Sequence, residues 1–152
     1  MAVLGAGRMG RELVGAIAGT GAMRLGGLWA RAGERFAATA SATEKAILDA
    51  AVISKDLGLV LGSADVAIDF TLPAATPVVL KAVAETGKPL VCGVSGLDDA
   101  LMRRMRDVSA SVPVFYDRNM SFGVAVLTGL VSRAASVLGP EFLAEVHETH
   151  HV

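Results

Sequence analysis

Two stretches of this chain carry residue types spaced for chemistry, one near each end. Near the start, Val3-Leu4-Gly5-Ala6-Gly7-Arg8-Met9-Gly10 spells GxGxxG, a spacing that lets a backbone turn approach a pyrophosphate. Gly5 permits the tight turn, Gly7 removes a side chain where phosphates come close, and Gly10 lets strand and helix pack tightly. A helix opening at this point offers unpaired N–H groups and a partial positive charge. Near the end, His147, His150 and His151 stand among Glu145 and Glu148. Three readings are open for that set: a proton donor near neutral pH, a metal cluster, or plain polar residues on an exposed strand. Glu and His alternate across strand faces, so only some of them converge, and no Cys accompanies them; no metal is expected.

Between these ends, the run Leu28-Trp29-Ala30-Arg31 closes the expected second strand without a carboxylate. A site for NAD usually places Asp or Glu there to accept hydrogen bonds from the ribose hydroxyls. Arg31, with Arg8 in the glycine turn, suits a ribose 2′-phosphate instead, because a guanidinium fork matches phosphate geometry. NADPH is therefore favoured over NADH as cofactor, while the competing reading leaves Arg31 as a solvated loop residue. Ser95, Ser121 and Cys92 lack the Gly-x-Ser-x-Gly elbow of a serine nucleophile, and capping or turn roles fit both serines better. Cys92 reads as a buried inert thiol. Asp69, at the end of an apolar run, reads as a group fixing local loop structure rather than an acid.

These residues need a scaffold, and the chain spells one. Short β-like runs at residues 2–4, 24–29, 51–54, 66–70, 90–92 and 114–116 alternate with helical periods, the pattern of a parallel sheet. Met9, Leu13, Val14 and Ile17 share one helical face, as do Leu101, Met102, Met105 and Val108. Pro73 fits the first turn of a helix running to about Glu85, and Gly87 closes it. A longer apolar helix is expected over residues 124–138, ended by Gly139-Pro140, and residues 142–146 read as a half-exposed strand that could open a second, antiparallel layer. Residues 37–51 form an Ala-rich stretch with no clear assignment.

With 152 residues, 53% of them apolar and 19% charged, the chain folds around an aliphatic core. The expected fold class is α/β: a Rossmann-type doubly wound parallel sheet over residues 1–121, followed by the start of a second α+β domain for substrate binding and oligomerisation over residues 122–152. A net charge of −1 gives no footprint for nucleic acid. No run is long and apolar enough for a bilayer, and no secretory leader is apparent, so a cytoplasmic location is expected.

Gly5 to Gly10, Ile68-Asp69-Phe70-Thr71 with Pro73, Gly93-Val94-Ser95-Gly96, Asn119-Met120-Ser121-Phe122-Gly123-Val124 and Glu148-Thr149-His150-His151 follow one another in order. That order resembles the 4-hydroxy-tetrahydrodipicolinate reductase family, also called dihydrodipicolinate reductases, which serve lysine and diaminopimelate biosynthesis. The resemblance implies a cofactor site at Gly5, Gly7, Arg8, Met9 and Gly10, bordered by Phe70 and Thr71. It further implies two nicotinamide-side loops, one at Gly93, Val94 and Ser95, the other at Asp117, Arg118, Asn119 and Met120. His150 looks like the catalytic acid and His151 like a substrate-binding neighbour. The implied reaction is NAD(P)H-dependent reduction of a cyclic imine dicarboxylate, in a homotetramer for a full-length form.

Several positions depart from the family pattern. The glycine turn is one residue shorter, Val94-Ser95 stand where two Thr are common, and Asp117-Arg118 and Met120 replace small or aromatic residues. The family's lysine and SGT segment would fall beyond Val152, so truncation at the C-terminus is expected. A second reading of function follows, an NAD(P)-binding regulatory or inactive truncated module without turnover. Another amino-acid-pathway dehydrogenase is the rival among enzymes, and the Glu148 to His151 motif argues against it.

Overall fold

A parallel pair cannot be joined by a tight turn, so its connection must cross the sheet. Here the first five strands each lead into one or more helices that make that crossing. The computed structural model describes residues 1–31, 33–147 and 149, and of Glu34 and Arg35 the backbone alone. Strands β1 (Ala2–Leu4), β2 (Gly27–Trp29), β3 (Val52–Ser54), β4 (Ala67–Asp69), β5 (Leu90–Cys92) and β6 (Val114–Tyr116) form one parallel sheet in the order β3-β2-β1-β4-β5-β6. Helix α1 (Arg8–Thr20) joins β1 to β2, α2 (Gly33–Ala38) and α3 (Ala42–Asp49) join β2 to β3, and α4 (Leu57–Gly62) joins β3 to β4. Helices α5 (Thr76–Thr86) and α6 (Asp99–Ser109) complete the next two crossovers, and α7 (Phe122–Leu138) follows β6. This is the doubly wound Rossmann arrangement expected from the sequence, with the strand order reversing between β1 and β4.

Alternation along single strands sorts the core into two layers. Ala2 and Leu4 of β1 pack into a cluster with Val60 and Leu61 of α4, Val79, Leu80 and Val83 of α5, and Met105 of α6. Val3, between them, points the other way, into a cluster with Val14 and Ile17 of α1, Leu28, Phe36 and Leu48. A central parallel strand is covered on both faces, and all three residues of β1 are fully buried.

Local signals set the ends of the helices. Gly21 and Gly87 close α1 and α5 in the left-handed region, at φ of 61° and 65°. Pro73 opens a single 3-10 turn (Pro73–Ala75) that leads into α5, so the helix expected from Pro73 to Glu85 is divided in two. The unassigned stretch at 37–51 folds as the end of α2 and all of α3. Ser41 caps α3 in a reciprocal box: its hydroxyl accepts from the Glu44 N–H at 3.3 Å, and the Glu44 carboxylate accepts from the Ser41 N–H at 2.7 Å.

The chain divides into two compact units, Met1–Arg118 and Asn119–Val152. The division falls three residues before the boundary expected after residue 121. The first unit holds the whole sheet. In the second, the described residues form α7 and no strand. Residues 142–146, expected as a half-exposed strand, are irregular instead: an extended segment becomes a strand only when an edge pairs with it, and no described edge does. Among the described residues, no helix is long and apolar enough to cross a membrane.

Candidate functional site

Parallel strands put all their carboxyl ends on one edge, and in open α/β sheets a ligand crevice forms there, beside the point where the strand order reverses. The segments after β1, β2 and β4 meet at that point. They enclose a cleft of about 790 Å³ lined by Gly5, Gly7, Arg11, Trp29, Arg31 and Phe36 and by residues 70–72.

The glycine turn is built by the absence of side chains. Gly5 extends the ladder, donating to the Trp29 carbonyl at 3.0 Å. It then leaves the strand at a φ of +103°, open to glycine and strained for other residues. A Cβ on Gly5 would lie 3.2 Å from the Thr71 methyl, and one on Gly10 would run into the Gly5 carbonyl oxygen. Gly7 differs from both: nothing lies within 4 Å of the position its Cβ would take. It is the N-cap of α1, with no side chain bonding the first-turn N–H groups and no acid in that turn. Those donors and the helix dipole are free for an anion in the cleft.

The wall after β4 is built around a buried carboxylate. Asp69 is fully buried, and its Oδ1 accepts from the Thr71 N–H at 2.9 Å, which bends the chain so that Phe70 and Thr71 face the cleft. Asp69 therefore fixes the loop, as read from the sequence. Its Oδ2, the Thr71 hydroxyl and the Thr76 hydroxyl have no hydrogen-bond partner among the described residues. Burial pushes the Asp69 carboxyl above its ordinary range, with Thr71 beside it acting in the opposite direction. Cys92, opposite Asp69 in the register, is wholly buried. Burial pushes its thiol up to about 11, with the Val94 amide opposing and the Asp69 charge adding to the rise. A thiol so held is no nucleophile near neutral pH.

The other residues singled out in the sequence are spread more widely. Arg8 and Met9, in the first turn of α1, are exposed and outside the lining of the cleft. Ala30, where an acid would bind ribose hydroxyls, is buried, and Arg31 beside it is exposed on the lining. After β5, the Gly93 N–H donates to the Asp69 carbonyl at 2.9 Å, and the Phe70 ring fills the space a Gly93 Cβ would need. Val94 is buried and Ser95 exposed. After β6, the Asp117 N–H donates to the Cys92 carbonyl at 3.2 Å, and Arg118 follows it, exposed. Gly93 to Ser95, Asp117 and Arg118 thus share the carboxyl edge without lining the same cleft. Asn119 and Met120 belong to the second unit, where the Asn119 side-chain Oδ1 accepts from the Ser121 N–H at 2.9 Å. Glu148, His150 and His151 lie outside the described residues; His147 sits 3.6 Å from Glu145 on the surface.

Arg11, Trp29 and Phe36 are lining residues that motif reading missed. Arg11 follows Gly7 by four positions and so shares its side of α1, a spacing visible in the sequence. Trp29 is held by its indole N–H, which donates to the Lys55 carbonyl at 2.9 Å.

The family described as dihydrodipicolinate reductase, N-terminus, matches residues 1–120. The chain belongs to this family. Curated relatives carry the name 4-hydroxy-tetrahydrodipicolinate reductase. The protein of Alkalilimnicola ehrlichii is 37% identical over 154 aligned positions, 99% of this chain and 57% of the relative. That of Anaeromyxobacter sp. is 37% identical over 146 positions, 96% of this chain and 54% of the relative. That of Xanthomonas axonopodis pv. citri reaches 47% over 88 positions, 58% of this chain and 37% of the relative. The chain thus spans between about a third and three fifths of the length of these relatives. Dihydrodipicolinate reductases work with a nicotinamide dinucleotide, and the cleft fits one: an open Gly7, unpaired N–H groups at the start of α1, and no described acidic side chain in the lining.

Proposed function

We propose that this chain is the cofactor-binding part of a 4-hydroxy-tetrahydrodipicolinate reductase that uses NADPH in preference to NADH. The observation that carries the reading is the lining of the cleft: a glycine turn open at Gly7, Arg31 after the second strand, and Ala30 in place of a ribose-binding acid. The pyrophosphate lies over Gly7 and the first turn of α1, and Arg31 pairs with the ribose 2′-phosphate. Phe70 and Thr71 border the nicotinamide half.

The reaction is reduction of 4-hydroxy-tetrahydrodipicolinate to tetrahydrodipicolinate in lysine and diaminopimelate biosynthesis. The 4-hydroxyl must leave as water to give the unsaturated cyclic imine; when bound, the reduced nicotinamide supplies a hydride to that imine, and charge balance then requires a proton at the carbon or nitrogen that gains electron density. His150 donates that proton, since an imidazole titrates near neutrality. His151 helps hold the substrate dicarboxylate, and residues 122–152 belong to the substrate-binding domain.

Titration calorimetry with NADPH and NADH tests the cofactor reading. Binding of NADPH at least about tenfold tighter, with the gap closed by Arg31→Ala, supports it. Tighter binding of NADH overturns the preference, and binding of neither overturns the dinucleotide site itself. His150→Gln in the reductase that carries this chain should lower kcat and leave NADPH affinity intact; an unchanged kcat removes His150 from the reaction.

A further inference from the structure

We infer that Arg11 is a second guanidinium selecting the ribose 2′-phosphate, aimed by its stack on Phe36; this rests on the dinucleotide reading of the cleft. The residue lies on the lining with Arg31, although it comes after the glycine motif and belongs to α1 rather than to the end of β2. Its guanidinium carbon sits 4.5 Å above the centre of the Phe36 ring, within the range of a cation–π contact. Phe36 is itself 4% exposed, anchored in the cluster with Val14 and Leu28. One guanidinium nitrogen also reaches the Thr39 carbonyl, at 3.5 Å. A long side chain on a helix surface usually loses rotamer freedom when it binds a ligand. The fixed ring under Arg11 removes much of that freedom beforehand.

No described carboxylate forms an ion pair with Arg11. The ion pairs among the described residues join Lys81 to Glu85 and His147 to Glu145. Glu44, the carboxylate that feels Arg11 electrostatically, is committed to the Ser41 N–H. Position decides which phosphate it serves. Phe36 and Thr39 follow β2, so the stack stands on the side of the glycine turn where β2 ends, and the adenosine ribose of a dinucleotide sits at that strand end. Arg8, three residues earlier, is exposed and outside the lining. Two guanidiniums from different elements, with no described acid between them, form a clamp suited to a dianionic phosphomonoester.

The test compares 2′,5′-ADP, 5′-ADP, NADPH and NADH on the chain and its variants, followed by the fluorescence of Trp29, the one tryptophan, which lines the cleft. Arg11→Ala should weaken 2′,5′-ADP and NADPH by about tenfold or more and change 5′-ADP and NADH by less than about threefold. Phe36→Leu, which keeps the charge and loosens its aim, should produce the same selective loss at smaller size, and Arg11→Lys should recover part of it. Equal losses for all four ligands would make Arg11 a pyrophosphate contact and overturn the proposal. Unchanged binding of 2′,5′-ADP to an Arg11→Ala variant with wild-type circular dichroism would overturn it too, with the dinucleotide site intact. Failure of the wild type to bind any of the four would sink the underlying reading along with it.

Discussion

Two neighbouring stretches of the cleft lining are built on opposite principles. The turn after β1 is shaped by what is missing: Gly10 has no room for a Cβ against the Gly5 carbonyl, and Gly7 leaves open space where a ligand would come. The loop after β4 is shaped by what is buried, the Asp69 carboxylate with one oxygen satisfied by Thr71 and the other left without a described partner. A wall made by sterics is indifferent to pH and intolerant of substitution. A wall made by a buried titratable group tolerates isosteric change and responds to pH. Even within one six-residue motif the two glycines differ: Gly10 is closed in by protein and Gly7 is open.

The largest effect expected is at Gly10. Gly10→Ala drives a methyl into the Gly5 carbonyl, backbone that cannot swing aside, and should cost about 3 kcal/mol in urea unfolding; a loss below about 1 kcal/mol would mean that the turn is softer than its geometry. Gly93→Ala comes next. Its methyl meets the Phe70 ring, a movable neighbour, so about 1 to 2 kcal/mol of stability should go, and the displaced ring should weaken NADPH binding in calorimetry. Gly7→Ala should change stability by about 1 kcal/mol or less while NADPH affinity falls at least about tenfold, because the methyl enters ligand space rather than protein. Loss of stability without loss of affinity would reverse the roles assigned to Gly7 and Gly10.

Asp69 should produce the most graded response. Its folded carboxyl keeps its proton to higher pH than the unfolded value of 3.8. The folded state therefore binds more protons in that window, and stability falls as pH rises from 3.8 through the folded value, then levels off. Asp69→Asn keeps an acceptor for the Thr71 N–H and has no proton to lose, so its stability curve should lack that slope. An identical slope in the variant would assign the pH dependence to another group.

How much of this was legible follows from where the information lies. Strand positions and α1 were readable because apolar alternation and a helical stripe are local signals, and Asp69 was readable as a loop fixer from its place at the end of an apolar run. Helix α4 was not foreseen: Leu57-Gly58-Leu59-Val60-Leu61-Gly62 carries two glycines and no clean period, and its helix depends on the Asp56 cap and on burial of Val60 and Leu61. Helix α3 had a usable signal in Ser41 and Glu44, the spacing of a reciprocal cap, hidden in an Ala-rich run. In the site, the glycines announced themselves, whereas Arg11 and Phe36 are 25 residues apart and meet only because α1 and α2 lie against the same part of the sheet. A pairing of that kind is set by tertiary packing, and no local spacing encodes it.

Cys92 gives the sheet a built-in clock. Its sulfur is sealed in the strand between β4 and the edge strand β6, and carries its proton at neutral pH. A thiol reagent in solution reaches it only through an opening of the sheet. At low reagent concentration the labelling rate reports how often the open form is populated, and at saturating reagent it reports how fast the sheet opens. One atom thus separates the thermodynamic and kinetic resistance of this side of the sheet, and a nucleotide in the cleft should slow that clock in proportion to its occupancy.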